Sequence, residues 1–259
     1  MPRQVIINAD DFGLCSSENT IIVRAFEAGL ISSATIMANM PGFEQACVMS
    51  RQPRLKGRIG LHFNLSHGQP LSQAIKSRRA FCDAHGQFHF HLSRYCLRLD
   101  SRDLTAIEGE LQAQWQRCLD HGLRPSHLDS HQHIHNIWPI GEVVARFAAR
   151  QGVPVRLARN LGANLNLAKR LFKTLLNRRL RALSGATADY VCTPADLAHA
   201  APPEHGSLEV IVHPLELGGD FGDSSLASGT SLTQVLHDRL AGVPTVHYGG
   251  TERQLMLME

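Results

Sequence analysis

VIINADDFGLCSSENTIIVRAFEAG, residues 5–29, is an apolar run, a polar turn and an amphipathic stretch in succession. Val5 to Asn8 reads as a buried strand ending at Ala9-Asp10-Asp11. Gly13 marks the turn, and Ser16 or Ser17 can cap the helix that follows. Its apolar face, Ile21, Ile22, Ala25 and Phe26, has helical spacing, and Gly29 closes it. The same alternation recurs along the chain. Further strands are expected over 34–38, 59–65, 126–130, 153–158, 189–192 and 208–212, with a possible last one at 245–248. Helices are expected over 43–51, from about 104 to 122, and over 138–151, 165–183 and 232–240. Strands alternating with helices imply parallel βαβ units. About seven strands suit an α/β fold of the (β/α)-barrel kind, closed or incomplete, better than a small open sheet. We expect one domain, residues 1–259. Residues 66–101, with Gly68, Pro70, Gly86, His67, His85, His89 and His91, form a long excursion with little regular structure.

The composition sets limits. The chain has 259 residues, 43% apolar and 19% charged, with a formal charge of +3, which describes a soluble globular protein. That charge is too small to argue for nucleic acid. No apolar run is long enough to span a bilayer. The first residues lack the long apolar stretch and small-residue cleavage site of a secretory signal. Six scattered cysteines without a CxxC pair read as reduced, structural thiols, so a cytoplasmic location is expected. The unusual number is 15 histidines against 3 tyrosines and 2 tryptophans. Five of them, His121, His127, His131, His133 and His135, fall in one short stretch.

In barrels the chemistry gathers at the C-terminal ends of strands, and ionisable residues stand there in five segments. Asp10-Asp11 ends the first strand. His62 lies in Gly60-Leu61-His62-Phe63-Asn64. His127-Leu128-Asp129-Ser130-His131 leads on to His133 and His135. Arg156 lies in the fifth strand, and His213-Pro214 ends a later one. Each has a plain structural reading: Asp10-Asp11 could cap a helix, His62 could be a satisfied core histidine, and the histidine run could be a solvated turn. Together they favour a metal site. Adjacent carboxylates are costly to hold together without a cation or a raised pKa, and neutral imidazoles are what a divalent ion needs. One carboxylate with two imidazoles leaves open positions, the catalytic kind of site. The second aspartate is then free to act as a base, and a histidine from another strand can protonate a leaving amine. This is metal-assisted hydrolysis of an amide or ester.

These motifs resemble the YdjC-like carbohydrate deacetylases. Residues 5–14 are similar to the family's opening signature, residues 60–65 to its second motif, residues 125–135 to its third, and Val212-His213-Pro214 to its late His-Pro motif. The resemblance runs from residue 4 to about 158 and again near 213. It implies a deformed (β/α) barrel of the polysaccharide-deacetylase-like type. It implies one divalent metal ion, magnesium or zinc, on Asp11, His62 and His131. It also implies Asp10 as catalytic base, His213 as general acid, and Arg156 at a basic position that orients the base. The implied reaction is hydrolysis of the N-acetyl group of an amino sugar, releasing acetate. The implied partners are an acetylated carbohydrate and, from related proteins, a second copy in a homodimer, with no nucleic acid and no membrane span. Asp129 could orient His131, and His133 and His135 could line the sugar pocket; His135 could replace His131 if the segment turned helical.

The chain departs from better-known members between about 72 and 124 and again from 160 to 207. With substrate-side insertions near 66–101 and 160–207, chito-oligosaccharide specificity does not carry over. The second stretch includes Lys169, Arg170, Lys173, Arg178, Arg179 and Arg181. It reads as a solvated helix with Leu171, Phe172, Leu175, Leu176 and Leu180 packed inward, or as a face for an anionic glycan or lipid-linked sugar. Three other functions compete: another single-metal amide, ester or phosphoester hydrolase, a catalytically silent binding protein of the same fold, and a nucleic-acid binder. The silent protein fits poorly with an intact site, and the nucleic-acid binder lacks aromatic residues beside the charges.

Overall fold

The computed structural model describes residues 1–162, 165–185 and 188–248. At its centre are six parallel strands: β1 (Gln4–Phe12), β2 (Ser33–Ile36), β3 (Ile59–Phe63), β4 (Leu128–Ser130), β5 (Tyr190–Cys192) and β6 (Ser207–Val212). Their order is β4-β3-β2-β1-β6-β5, and the sheet curls into a half-barrel. β1 is central and almost wholly buried, which is why it reads as a continuous apolar run and not as an alternating one. The architecture expected from the sequence is the one found.

Two expected strands are reduced to single bridges. Residues 153–161 cross the gap between the outer strands. Leu128 N donates to Pro154 O and Arg156 N to Leu128 O, both at 2.9 Å, while Asn160 N donates to Val191 O at 3.2 Å. Only Val155 makes a strand-type bridge, to Leu128. Pro154 offers no N–H, and Asn160 bonds β5 through its side chain, accepting from Val191 N at 2.9 Å. The barrel is therefore deformed here. Near the C-terminus, Thr245 alone bridges to Val5.

The helices are α1 (Ser16–Glu27), α2 (Phe43–Met49), α3 (Gln73–Lys76), α4 (Ser101–Asp120), α5 (Trp138–Gln151), α6 (Leu167–Ser184), α7 (Pro194–His199) and α8 (Leu232–Leu240), with a 3-10 segment over His131–Asn136. Ser16 and Ser17 are inside α1 and do not cap it; Cys15 holds that position without a side-chain bond. Asn19 secures the turn instead. It accepts from Gly13 N at 2.7 Å and donates to Gly42 O at 2.8 Å. α7 has no counterpart among the expected helices, although its start is legible as a capping box between Thr193 and Asp196. A hairpin also stands outside the expected elements: β7 (Pro214–Leu217) pairs antiparallel with β8 (Asp220–Asp223). Gly218 and Gly219 form its two-residue loop, both with positive φ.

One apolar cluster runs from Val5 to Leu240 and includes Phe12, Phe43, Phe63 and Phe147. Four cysteines are buried and all six are free. Residues 66–101 contain one helical turn, α3, and a Cys82–Phe88 bridge. The expectation for α6 needs correction: Leu176 and Leu180 are buried, but Leu171 and Leu175 face outward. The expected domain, 1–259, ends in residues 249–259, outside the described residues.

Candidate active site and metal centre

Side chains in a regular strand point alternately to opposite faces, so Asp10 and Asp11 should diverge. They do not. The β1–β2 register shifts between Ala9 and Phe12, and Asp11 adopts φ 69°. That left-handed conformation is costly for a residue with a Cβ. It turns both carboxylates toward His62 of β3: His62 Nε2 lies 3.2 Å from Asp11 Oδ1 and 3.9 Å from Asp10 Oδ2.

The remaining groups arrive at the same strand ends. His131 follows β4 directly, and its Nδ1 lies 2.8 Å from Asp11 Oδ1. His213 follows β6, with Nε2 at 4.0 Å from Asp10 Oδ2 and 3.9 Å from Asp11 Oδ2. The β7–β8 hairpin holds it there, because Asp223 Oδ2 accepts from the backbone N–H of His213 at 2.6 Å. Arg156 is fully buried and makes a two-pronged pair with Asp10: Nη2 to Oδ1 at 2.7 Å and Nη1 to Oδ2 at 2.9 Å. All six sequence-selected residues thus meet within one cluster.

A buried network beyond these six residues supports them. Arg156 Nη1 lies 2.6 Å from Asp129 Oδ2, and Arg156 Nε donates to Glu209 Oε1 at 2.6 Å. Tyr248 OH donates to the other oxygen of Glu209. Thr35 donates to Asp129 at 3.0 Å, and Asn8 Nδ2 donates to Asp10 at 3.0 Å. His127 bonds Asn8 and stacks on Tyr248 with rings 3.7 Å apart. Glu209 had a legible signal: an acid inside Leu208-Glu209-Val210-Ile211-Val212 must find a partner when buried. Asp129 serves a different histidine from the one expected. Its Oδ1 lies 2.7 Å from His62 Nδ1, so it orients His62 and not His131. His135 does not take the place of His131: the 3-10 segment is broken by a kink at Gln132 and His133, whose φ values are 51° and 54°. His135 is buried with Nδ1 on Ser130 Oγ. His133 lines a small cavity beside Phe90 and Leu92, while His67 stands against His131 with ring centres 4.7 Å apart.

The charges follow from burial and neighbours. Burial alone would raise the pKa of Asp10, but Arg156, His62 and His213 outweigh it and hold it well below the usual carboxylate range. Asp11 is lowered likewise: burial opposes, and the hydrogen bond to His131 and the close His62 imidazole prevail. Burial would depress His62, yet Asp129, Asp10 and Asp11 raise it to about 10. Burial pushes His133 down to about 3 and His135 well below its ordinary value.

The donor set fits a divalent cation. Asp11, His62 and His131 each offer one ligand atom, all within 4.8 Å of one another. His62 Nε2 is buried and makes no well-aligned hydrogen bond. Its other nitrogen is anchored by a carboxylate, the usual arrangement behind a metal-binding imidazole. Three protein ligands of oxygen and nitrogen type leave positions free, as catalytic sites do. A second set, Asp10, His62 and Asp129, has similar spacing. However, both of its carboxylates are already paired with Arg156.

Fold and cluster together define a (β/α)-barrel protein with a candidate hydrolytic metal site at its strand ends. The chain belongs to the family described as YdjC-like protein, whose model matches residues 4–219. It is similar to proteins named chitooligosaccharide deacetylase in Salmonella paratyphi B and Salmonella typhimurium. Identity is 33% over 222 residues, covering 83% of this chain and 82% of each relative. A crystal structure from Enterococcus faecalis, provisionally named a cellobiose-phosphate cleavage protein, shares the fold. Its TM-score is 0.68 at 21% identity, over 96% of this chain and 98% of that one.

Proposed function

We propose that this chain is a metal-dependent carbohydrate deacetylase that hydrolyses the N-acetyl group of an amino sugar, yielding the free amine and acetate. The carrying observation is the convergence of Asp10, Asp11, His62, His131 and His213, from four chain segments, on one cluster. The name of the Salmonella relatives supports the reaction class.

Asp11, His62 and His131 hold the cation in this reading. Magnesium or zinc bound there would polarise the acetyl carbonyl and offset its developing negative charge. Asp10 is the base: it is ionised at neutral pH and can take a proton from the attacking water. Arg156 fixes the orientation of that carboxylate with two bonds. His213, one-third exposed and 3.9–4.0 Å from both aspartates, donates a proton to the departing sugar nitrogen. Asp129 keeps His62 Nδ1 engaged, so that Nε2 is the nitrogen that would hold the cation.

Acetate release across N-acetylated mono- and oligosaccharides tests the reaction. Release from at least one, abolished by EDTA, is expected. No release from any of them by the metal-loaded protein overturns it in favour of another single-metal hydrolase. His62→Ala should lower metal content from about one ion per chain to near none; full occupancy in that variant overturns the ligand set.

A further inference from the structure

Helix α6 carries Lys169, Arg170, Lys173, Arg178, Arg179 and Arg181 and no acidic residue. Its inner face is Leu176, Asn177 and Leu180, all buried. Leu167, Leu171 and Leu175 recur four residues apart and are 84%, 60% and 46% exposed. That spacing places them on one outward stripe. A helix on a globular protein ordinarily turns its leucine stripe to the core, but here the opposite face already makes the core contact. Tyr95 and Leu97, also largely exposed, lie in the neighbouring segment, where Tyr95 meets Phe172 of α6 edge-on at 6.1 Å. Arg94 and Arg98 flank them.

The charges are not consumed locally. Arg179 pairs with Glu142 and Arg181 with Asp189. Among the described residues, Lys169, Arg170, Lys173 and Arg178 make no ion pair with a carboxylate. Lys173 bonds a backbone carbonyl, that of Arg159, and Arg170 bonds that of Leu165.

We propose that α6, with residues 94–98, docks this protein on an anionic bilayer surface. The leucines and Tyr95 enter the boundary between headgroups and acyl chains, while the flanking cations meet lipid phosphates. Charge selects this occupant over a second copy of the chain, since two such faces apposed would bring like charges together. The contact is peripheral: no helix among the described residues is long and apolar enough to cross a membrane.

The docking face also opens inward. Arg94, Tyr95, Asn136, Lys169, Phe172 and Lys173 line a cavity of about 230 Å³ beneath it. A second cavity shares Arg94 and Asn136 and reaches Gln132 and His133, the two residues after His131. Resting on the deacetylase reading, this places an acetylated glycan carried on a phosphate-linked lipid within reach of the site. The docking itself does not depend on that reading.

Co-sedimentation of the full chain with vesicles tests the docking, without substrate. We expect binding to phosphatidylcholine vesicles containing phosphatidylglycerol and at least tenfold weaker binding to phosphatidylcholine alone, with affinity falling as salt rises. The double variant Leu171→Asp with Leu175→Asp should bind at least tenfold more weakly and melt at the wild-type temperature. Three results overturn the proposal: no binding to the anionic vesicles, undiminished binding by the double variant, or a wild-type dimer in solution that the double variant abolishes. Vesicle binding and acetate release are separate readouts, so failure of one is distinguishable from failure of the other.

Discussion

Asp10 and Arg156 show how one residue's environment sets its chemistry. Arg156 is buried among Asp10, Asp129 and Glu209. Removing one partner of a buried charge group costs about 3–5 kcal/mol, so Arg156→Met should lower the urea midpoint sharply. Asp10→Asn keeps the shape and loses the base: metal content should stay at the wild-type level while acetate release falls about 100- to 10,000-fold. An active Asp10→Asn enzyme removes Asp10 from its role. The pKa of folded Asp10 lies below the value of about 3.9 for an unfolded aspartate. Its ionised form therefore stabilises the fold above about pH 4, and that contribution is lost as pH falls through the folded value. The urea midpoints of wild type and Asp10→Asn should accordingly stay apart from pH 7 down to about 4 and draw together only as pH falls further.

At the level of elements, two short segments decide the geometry. At Gly60, β3 runs tightly against His127, the residue before β4: an added Cβ would lie 2.6 Å from the His127 ring and 2.7 Å from its carbonyl oxygen. Backbone cannot yield there cheaply. Gly60→Ala should cost about 1–3 kcal/mol, visible as a lower melting temperature, and should displace His62 two residues on. The β7–β8 hairpin acts on the other side. Asp223→Ala removes the acceptor of the His213 N–H and should lower kcat about 10- to 100-fold, the scale of a small misplacement. Metal content should not change, since Asp223 touches no proposed ligand. Parallel loss of metal and rate would show instead that the hairpin supports the whole cluster. The hairpin's Gly218-Gly219 pair was legible in sequence as a two-residue turn, and the capping box of α7 was equally legible. The irregular course of residues 153–161 was not: its apolar pattern is strand-like, and only the geometry of the gap shows that Val155 alone can pair.

Over the whole molecule, the sheet converts distant sequence positions into one centre. His62, His131 and Asp11 come together because β3, β4 and β1 end at the same edge. A divalent ion there binds the folded chain and not the unfolded one, so it should stabilise by mass action. Dialysis against EDTA should lower the melting temperature and abolish acetate release. Adding back one equivalent of magnesium or zinc should restore both; a melting temperature indifferent to EDTA argues against a metal on these residues.

The sequence alone determined the alternation of strand and helix, the parallel barrel and the strand-end segments rich in ionisable residues, from which the resemblance to the YdjC-like family selected the six of the candidate centre. Those properties are local: apolar periodicity follows from burial, and ionisable residues stand out where a strand ends. Tertiary structure decided which partner each residue takes. Asp129 serves His62 because β3 and β4 lie in register, His62 opposite Asp129. Asp10 and Asp11 share a side because the strand breaks register between Ala9 and Phe12. Glu209 and Tyr248 join Arg156 across distances that no spacing along the chain encodes. The outward turn of Leu171 and Leu175 was equally hidden, because helical periodicity gives the spacing of a stripe but not the face that meets the core.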